Sequence, residues 1–157
     1  MVQIAGRANF TSSVDFKTLL EELLQKGYTR FVLDLTDCAL MDSTFLGVLA
    51  GFGLKMNQSA DPNQRGIELS NPNARIIELL ENLGALHLFK IITGALKLPD
   101  DVQTSALPAT NPSHEEITRT CLEAHKTLMA VNPDNVARFK DVAQFLAEDL
   151  KTLEKGK

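Results

Sequence analysis

The chain has no run of about eighteen or more apolar residues, which excludes a membrane-spanning helix. The start MVQIAGRANF lacks a basic region followed by an apolar core, so no secretory signal is expected and a cytoplasmic location is. Only two cysteines occur, Cys38 and Cys121, far apart and without metal-ligand spacing, which is the usage of reduced thiols. The three histidines and the carboxylates form no ligand cluster either, so neither a metal nor an organic cofactor is expected. A Gly-rich phosphate loop of Walker type is absent. No basic cluster or RNA-stacking aromatic motif is present and the net charge is -4, which argues against nucleic acid. The Asn-x-Ser/Thr matches at Asn9 and Asn57 carry no meaning without secretion.

What is present suffices for a packed core. The chain has 157 residues, 44% of them apolar, which fits one domain or one domain with an appended segment. Val2 to Gly6 reads as a short strand, and Asn9 to Ser13 as a turn rich in capping residues. A helix is expected from about Val14 to Gln25 on the stripe Phe16, Leu19, Leu20, Leu23 and Leu24, stopped by Gly27. Phe31 to Thr36 is the clearest strand, and a helix follows from Ser43 to about Asn57. The loop SADPNQRG precedes a strand at Ile67 to Ser70. Pro72 then stands just inside a helix carrying Ile76, Ile77, Leu79, Leu80 and Leu83, closed by Gly84. A last short strand is expected at Leu88 to Ile92. The order is β-α-β-α-β-α-β, which predicts an α/β fold with a largely parallel sheet. Parallel strands covered on both faces should be continuously apolar. Here Gln3, Asp34 and Glu68 interrupt them, so one sheet face is either partly solvated or covered by something amphipathic.

From Lys97 the composition shifts to prolines and small polar residues, in LPDDVQTSALPATNP. The expected division is an α/β domain over 1–98, a linker over 99–112 and a helical hairpin over 113–153. Ser113 and Glu116 form a capping box. Ile117, Cys121, Ala124, Leu128 and Met129 mark one helix face. Past the break at Asn132-Pro133, Val136, Phe139, Val142, Ala143, Leu146, Leu150 and Leu153 mark another. Burying one such Leu or Phe is worth roughly 1.5–3 kcal/mol, so the hairpin is expected to dock. Its own α/β domain is the favoured surface, through the polar sheet face or the sheet edge. Pairing with a second copy as a homodimer is the runner-up.

The stretch DLTDCALMDSTFLGVLAG, Asp34 to Gly51, carries the functional signal. Asp42, Ser43 and Thr44 sit where a strand passes into a helix. Read plainly they are caps, whose side chains accept hydrogen bonds from first-turn amides, although Phe45 and Leu46 stand where a reciprocal Glu or Gln would be. Beyond that, Asp34, Leu35, Asp37, Met41, Asp42, Ser43, Thr44, Leu46 and Gly47 resemble the signature of STAS domains, in the branch of the anti-sigma factor antagonists. The preceding helix, the strand GIELSN and the segment LGALHLFKI fit as well, over roughly Met1 to Leu98.

The resemblance implies a phosphorylation switch. Ser43 would be the phosphoacceptor, with Thr44 secondary. A partner that is both anti-sigma factor and serine kinase would modify it, and a metal-dependent serine phosphatase would reset it. Asp37, Asp42, Thr44, Phe45 and Gly47 would form the partner surface. A phosphate adds roughly -1.5 to -2 charges and is tolerated at the positive end of a helix. Three features depart from the pattern. Phe45 stands where Gly often follows, and is either core or an exposed anchor. The family's first strand is missing or very short, and Asn9 replaces a frequent Asp. Gly47 and Gly51 suit close backbone approach, read first as packing against the sheet.

An enzyme is not expected. Ser43 lacks the G-x-S-x-G elbow, and no base is expected beside it. His87, in an apolar segment, reads as partly buried and structural, while His114 and His125 belong to the appended helices. The competing function is a non-phosphorylated STAS scaffold that holds an ATPase or transporter subunit or joins a larger signalling assembly.

Overall fold

A computed structural model of the chain describes residues 1–57, 66–94 and 110–156. The loop expected at 59–66 and the linker expected at 99–112 lie almost wholly outside the described residues. The first part of the chain is mixed α/β. Strands β1 (Val2–Gln3), β3 (Arg30–Asp34), β5 (Gly66–Ser70) and β6 (Lys90–Ile92) form a four-stranded sheet in the order β1-β3-β5-β6, every pair parallel. Strands β2 (Gly6–Ala8) and β4 (Cys38–Met41) form a separate parallel pair. Helices α1 (Phe10–Gln25), α2 (Ser43–Asn57) and α3 (Ala74–Asn82) connect them, and a single 3-10 turn, Leu86–Leu88, precedes β6.

Alternation decides which face of the sheet is buried. Phe31 and Leu33 of β3 and Ile67 and Leu69 of β5 are buried. Val32, Glu68 and Lys90 lie in one register row on the other face. There Glu68 pairs with Arg30 at 3.1 Å and with Lys90 at 4.0 Å. That face is partly solvated, which is one of the two readings of its polar residues.

Local chemistry moves several boundaries. Helix α1 begins at Phe10, four residues earlier than expected, because Asn9 accepts from the Thr11 and Ser12 amides while the Ser12 hydroxyl accepts from the Asn9 amide. Gly27, at φ +96, ends the same helix, and Tyr28 N–H reaches back to the Leu23 carbonyl. Pro72 is not inside α3: the helix starts at Ala74 with Asn73 as its cap, accepting from Ile76 N–H at 2.9 Å. The residues Cys38–Met41 form a strand that was not expected. Cys38 and Met41 are buried with two exposed residues between them, so period-two alternation is absent. Of the strand expected at Leu88–Ile92, only Lys90–Ile92 pairs into the sheet, because Leu88 belongs to the 3-10 turn.

The C-terminal hairpin comprises α4 (His114–Val131) and α5 (Asp134–Lys155), and Ser113 caps α4 by accepting from Glu116 N–H. It packs on its own chain, but on helices α1 and α2 instead of the polar sheet face or the sheet edge. Ala124 and Leu128 join the same hydrophobic core as the strands and α2. Because α2 covers one side of α4 and α5 another, α4 is buried on two faces. Thr118, Thr120, Leu122 and His125 are therefore buried beside Ala124 and Leu128, whereas Ile117, Cys121 and Met129 of the expected stripe are half-buried.

At the hairpin tip, Asn135 is fully buried and donates to the carbonyls of Leu83 and Leu128, both at 2.8 Å. Gly84, at φ +70, presses against the Asn132 side chain there. At the other end Thr110 bonds the Asp15 carboxylate through its amide and its hydroxyl. Lys17 of α1 meets Glu123 of α4 at 2.8 Å. On α5, Phe139, Leu146, Leu150 and Leu153 are half-buried and Ala143 is buried, while Val136, Val142 and Phe145 remain exposed.

Candidate functional site under the hairpin

The site forms where two helix starts converge on one carboxylate. Asp42 N–H donates to the Ala8 carbonyl, the last residue of β2, which fixes Asp42 between β4 and α2. Its Oδ1 accepts from Phe45 N–H at 2.8 Å, and its Oδ2 from Phe10 N–H at 2.6 Å. One side chain thus caps α2 and also holds the first residue of α1. Both bonds place negative charge at a positive helix end. The sequence allowed Asp42, Ser43 and Thr44 to act as caps together. In the structure the capping bonds go to Asp42, and the two hydroxyls turn to α4.

The Ser43 hydroxyl lies 2.9 Å from His125 Nε2. His125 is 5% exposed and its Nδ1 stands 2.6 Å from the Cys121 carbonyl oxygen. A carbonyl only accepts, so Nδ1 carries a proton, and in that neutral tautomer Nε2 is the acceptor for the Ser43 hydroxyl. Phe139 of α5 packs edge-on against the same ring, with centroids 5.1 Å apart. One residue along, the Thr44 hydroxyl donates to Cys121 Sγ at 3.5 Å. Burial pushes the Cys121 thiol above its ordinary value. The Thr44 bond offsets part of this, and Asp42 adds to the rise. Burial likewise raises Cys38.

Gly47 completes the contact. A Cβ at that position would lie 2.4 Å from the Ala124 carbonyl oxygen and 2.7 Å from its Cβ. The glycine spacing therefore admits α4, not the sheet. Gly51 faces Thr127 at an ordinary 3.8 Å.

The residues expected to form a partner surface are divided by this arrangement. Asp37 is exposed on the turn before β4, where its carboxylate accepts from Gln3. Asp42 is half-buried at the two caps. Thr44, Phe45 and Gly47 are buried. Phe45, 2% exposed, stacks on Phe16 with ring centroids 4.6 Å apart, so the core reading describes it and the exposed-anchor reading does not. His87 is exposed, contrary to expectation, and His114 meets Asp149 at 3.2 Å on the hairpin surface.

His125 is the residue that sequence reasoning missed. The expectation of no base near Ser43 is corrected by its ring nitrogen at hydrogen-bond distance. A nucleophile and base at this separation form part of a hydrolytic triad, which also requires an orienting carboxylate and free donors for an oxyanion. Here Nδ1 rests on a neutral backbone carbonyl, the Phe45 amide is taken by Asp42, and the ring is buried against Phe139. As seated, the pair ties two helices together. Among the described residues no group of three or more His, Cys, Asp or Glu is placed to hold a metal ion. No described helix is long and apolar enough to cross a membrane.

This combination of a parallel sheet, a strand-to-helix Asp-Ser-Thr step and flanking helices defines a STAS-type interaction domain. The family model described as Mlab, STAS domain, matches residues 1–92, and the chain belongs to that STAS family. No curated protein matches the chain. The two C-terminal helices lie beyond the matched residues.

Proposed function

We propose that the protein is a phosphorylation-switched interaction module that acts as antagonist of an anti-sigma factor with serine kinase activity. In this reading Ser43 is the phosphoacceptor and Thr44 the secondary one. The observation that carries the reading is the division of labour at the first turn of α2: Asp42 does the capping, so the Ser43 hydroxyl at this helix N-terminus takes no part in it and, among the described residues, bonds only the His125 side chain. That position favours an added phosphate electrostatically.

The partner kinase transfers the terminal phosphoryl group of a nucleoside triphosphate to Ser43 Oγ. The hydroxyl proton leaves, the new O–P bond forms, and the nucleoside diphosphate departs. A metal-dependent serine phosphatase restores the hydroxyl. The module itself catalyses nothing, needs no cofactor, and works in the cytoplasm through protein partners, not nucleic acid.

A second reading rests on the Ser43–His125 bond. A hydroxyl held by a buried imidazole serves structure, which suits a scaffold that is never phosphorylated and that holds an ATPase or transporter subunit or a signalling assembly. Mass spectrometry of the protein from its native cells separates the two. The switch predicts phosphate on Ser43, abolished by Ser43→Ala with partner capture retained. Full labelling on another residue in Ser43→Ala, or no phosphate under any growth condition, overturns the switch.

A further inference from the structure

We infer that α4 is a cis-occupant of the Ser43 face, and that a phosphate on Ser43 and the closed hairpin exclude each other. This rests on Ser43 being the phosphoacceptor and adds how the site is regulated. Three contacts seat α4 there: Ser43 with His125, Thr44 with Cys121, and Gly47 against the Ala124 backbone. They involve successive turns of both helices, so α4 occupies the position that a helical partner would need.

The exclusion follows from space and charge. Ser43 Oγ already stands at hydrogen-bond distance from His125 Nε2, and a phosphorus with three oxygens cannot be inserted between them. Ser43 is half-buried, and the added group would bring roughly -1.5 to -2 charges against the buried His125 ring. Asp42 contributes like charge beside it, the Cys121 thiol is held protonated, and Lys17 on the α1–α4 seam is engaged by Glu123. His125 offers one donor at most, and only when doubly protonated. An anion held against the buried His125 ring, compensated by the helix end alone, moves to water instead.

Water is reached by lifting α4, with α5 attached, from α2. Closed hairpin therefore means a protected Ser43, and phosphorylation holds the hairpin open. By reciprocity, a partner that displaces α4 exposes Ser43 to modification.

The full chain with phosphoserine installed at position 43 tests this without any kinase, so its outcome is independent of whether cells phosphorylate Ser43. The readouts are N-ethylmaleimide alkylation of the two native cysteines at pH 8 and amide hydrogen exchange. Opening removes the burial that raises the Cys121 thiol, and its alkylation should accelerate on the order of tenfold or more as the open state becomes populated. Cys38, in the β4 core, should stay slow. Amides of α4 and α5 should lose protection while β3 and β5 keep theirs. Gly47→Ala, which forces α4 back without adding charge, should give the same signature. Unchanged Cys121 reactivity with phosphate present overturns the inference. So does loss of protection in β3 and β5 together with α4, since the hairpin would then not be a separable unit.

Discussion

Two glycines one turn apart on α2 should respond to the same substitution with opposite sign. At Gly47 an added methyl would sit 2.4 Å from the Ala124 carbonyl oxygen and 2.7 Å from the Ala124 carbonyl carbon and Cβ. Two are backbone atoms of a packed helix and the third is the Cβ fixed to that backbone, so relief requires α4 to shift as a body. Overpacking of this kind costs about 1–3 kcal/mol. Removing a glycine from a helix interior returns about 1 kcal/mol. Gly47→Ala should therefore be net destabilising, by up to about 2 kcal/mol. At Gly51 the methyl would meet only the Thr127 side chain, at 3.8–3.9 Å, so the propensity gain stands alone. Gly51→Ala should stabilise by about 0.5–1 kcal/mol. For a chain of this size each kcal/mol moves the melting temperature by about 2–4 °C. The two variants should straddle the parent in thermal melts, with the same ordering in urea midpoints. If both raise the melting temperature equally, α4 is not seated on Gly47, and the occlusion of Ser43 fails with it.

The remaining predictions concern the groups that hold the site. Asp42→Ala removes the acceptor for both the Phe10 and Phe45 amides and should cost about 1–3 kcal/mol in urea unfolding; Asp42→Asn should recover part of this. A loss below about 0.5 kcal/mol would mean that the shared cap is not used in solution. Asn135→Ala leaves the Leu83 and Leu128 carbonyls without their buried donor and should cost about 1–3 kcal/mol, with hydrogen exchange rising first at the α4–α5 turn. Wild-type protection at that turn would refute its role as the pin between hairpin and body.

Much of this protein is legible in the sequence because the deciding interactions are local. The stripe of α1, the full extent of α2 and the stop at Gly27 depend on neighbouring residues and helical periodicity. The family signature from Asp34 to Gly47 is a contiguous string, and the shift in composition near Lys97 separates it from two amphipathic helices. The strand Cys38–Met41 was hidden because its buried residues stand three apart, and only its pairing with Gly6–Ala8 makes it a strand. The roles of Ser43, Thr44 and Gly47 needed residues about eighty positions away. Nothing near His125 marks it as the partner of Ser43, because an apolar stripe records one buried face and α4 has two. Sequence alone determined the family, the residues available as helix caps and the residues that could act. The tertiary structure decided that Asp42 would be the cap, that Phe45 would be core, and that the Ser43 face would be covered by the chain's own α4. The reason is that hydrogen-bond and packing partners across such separations are chosen by how layers stack, which no local pattern encodes.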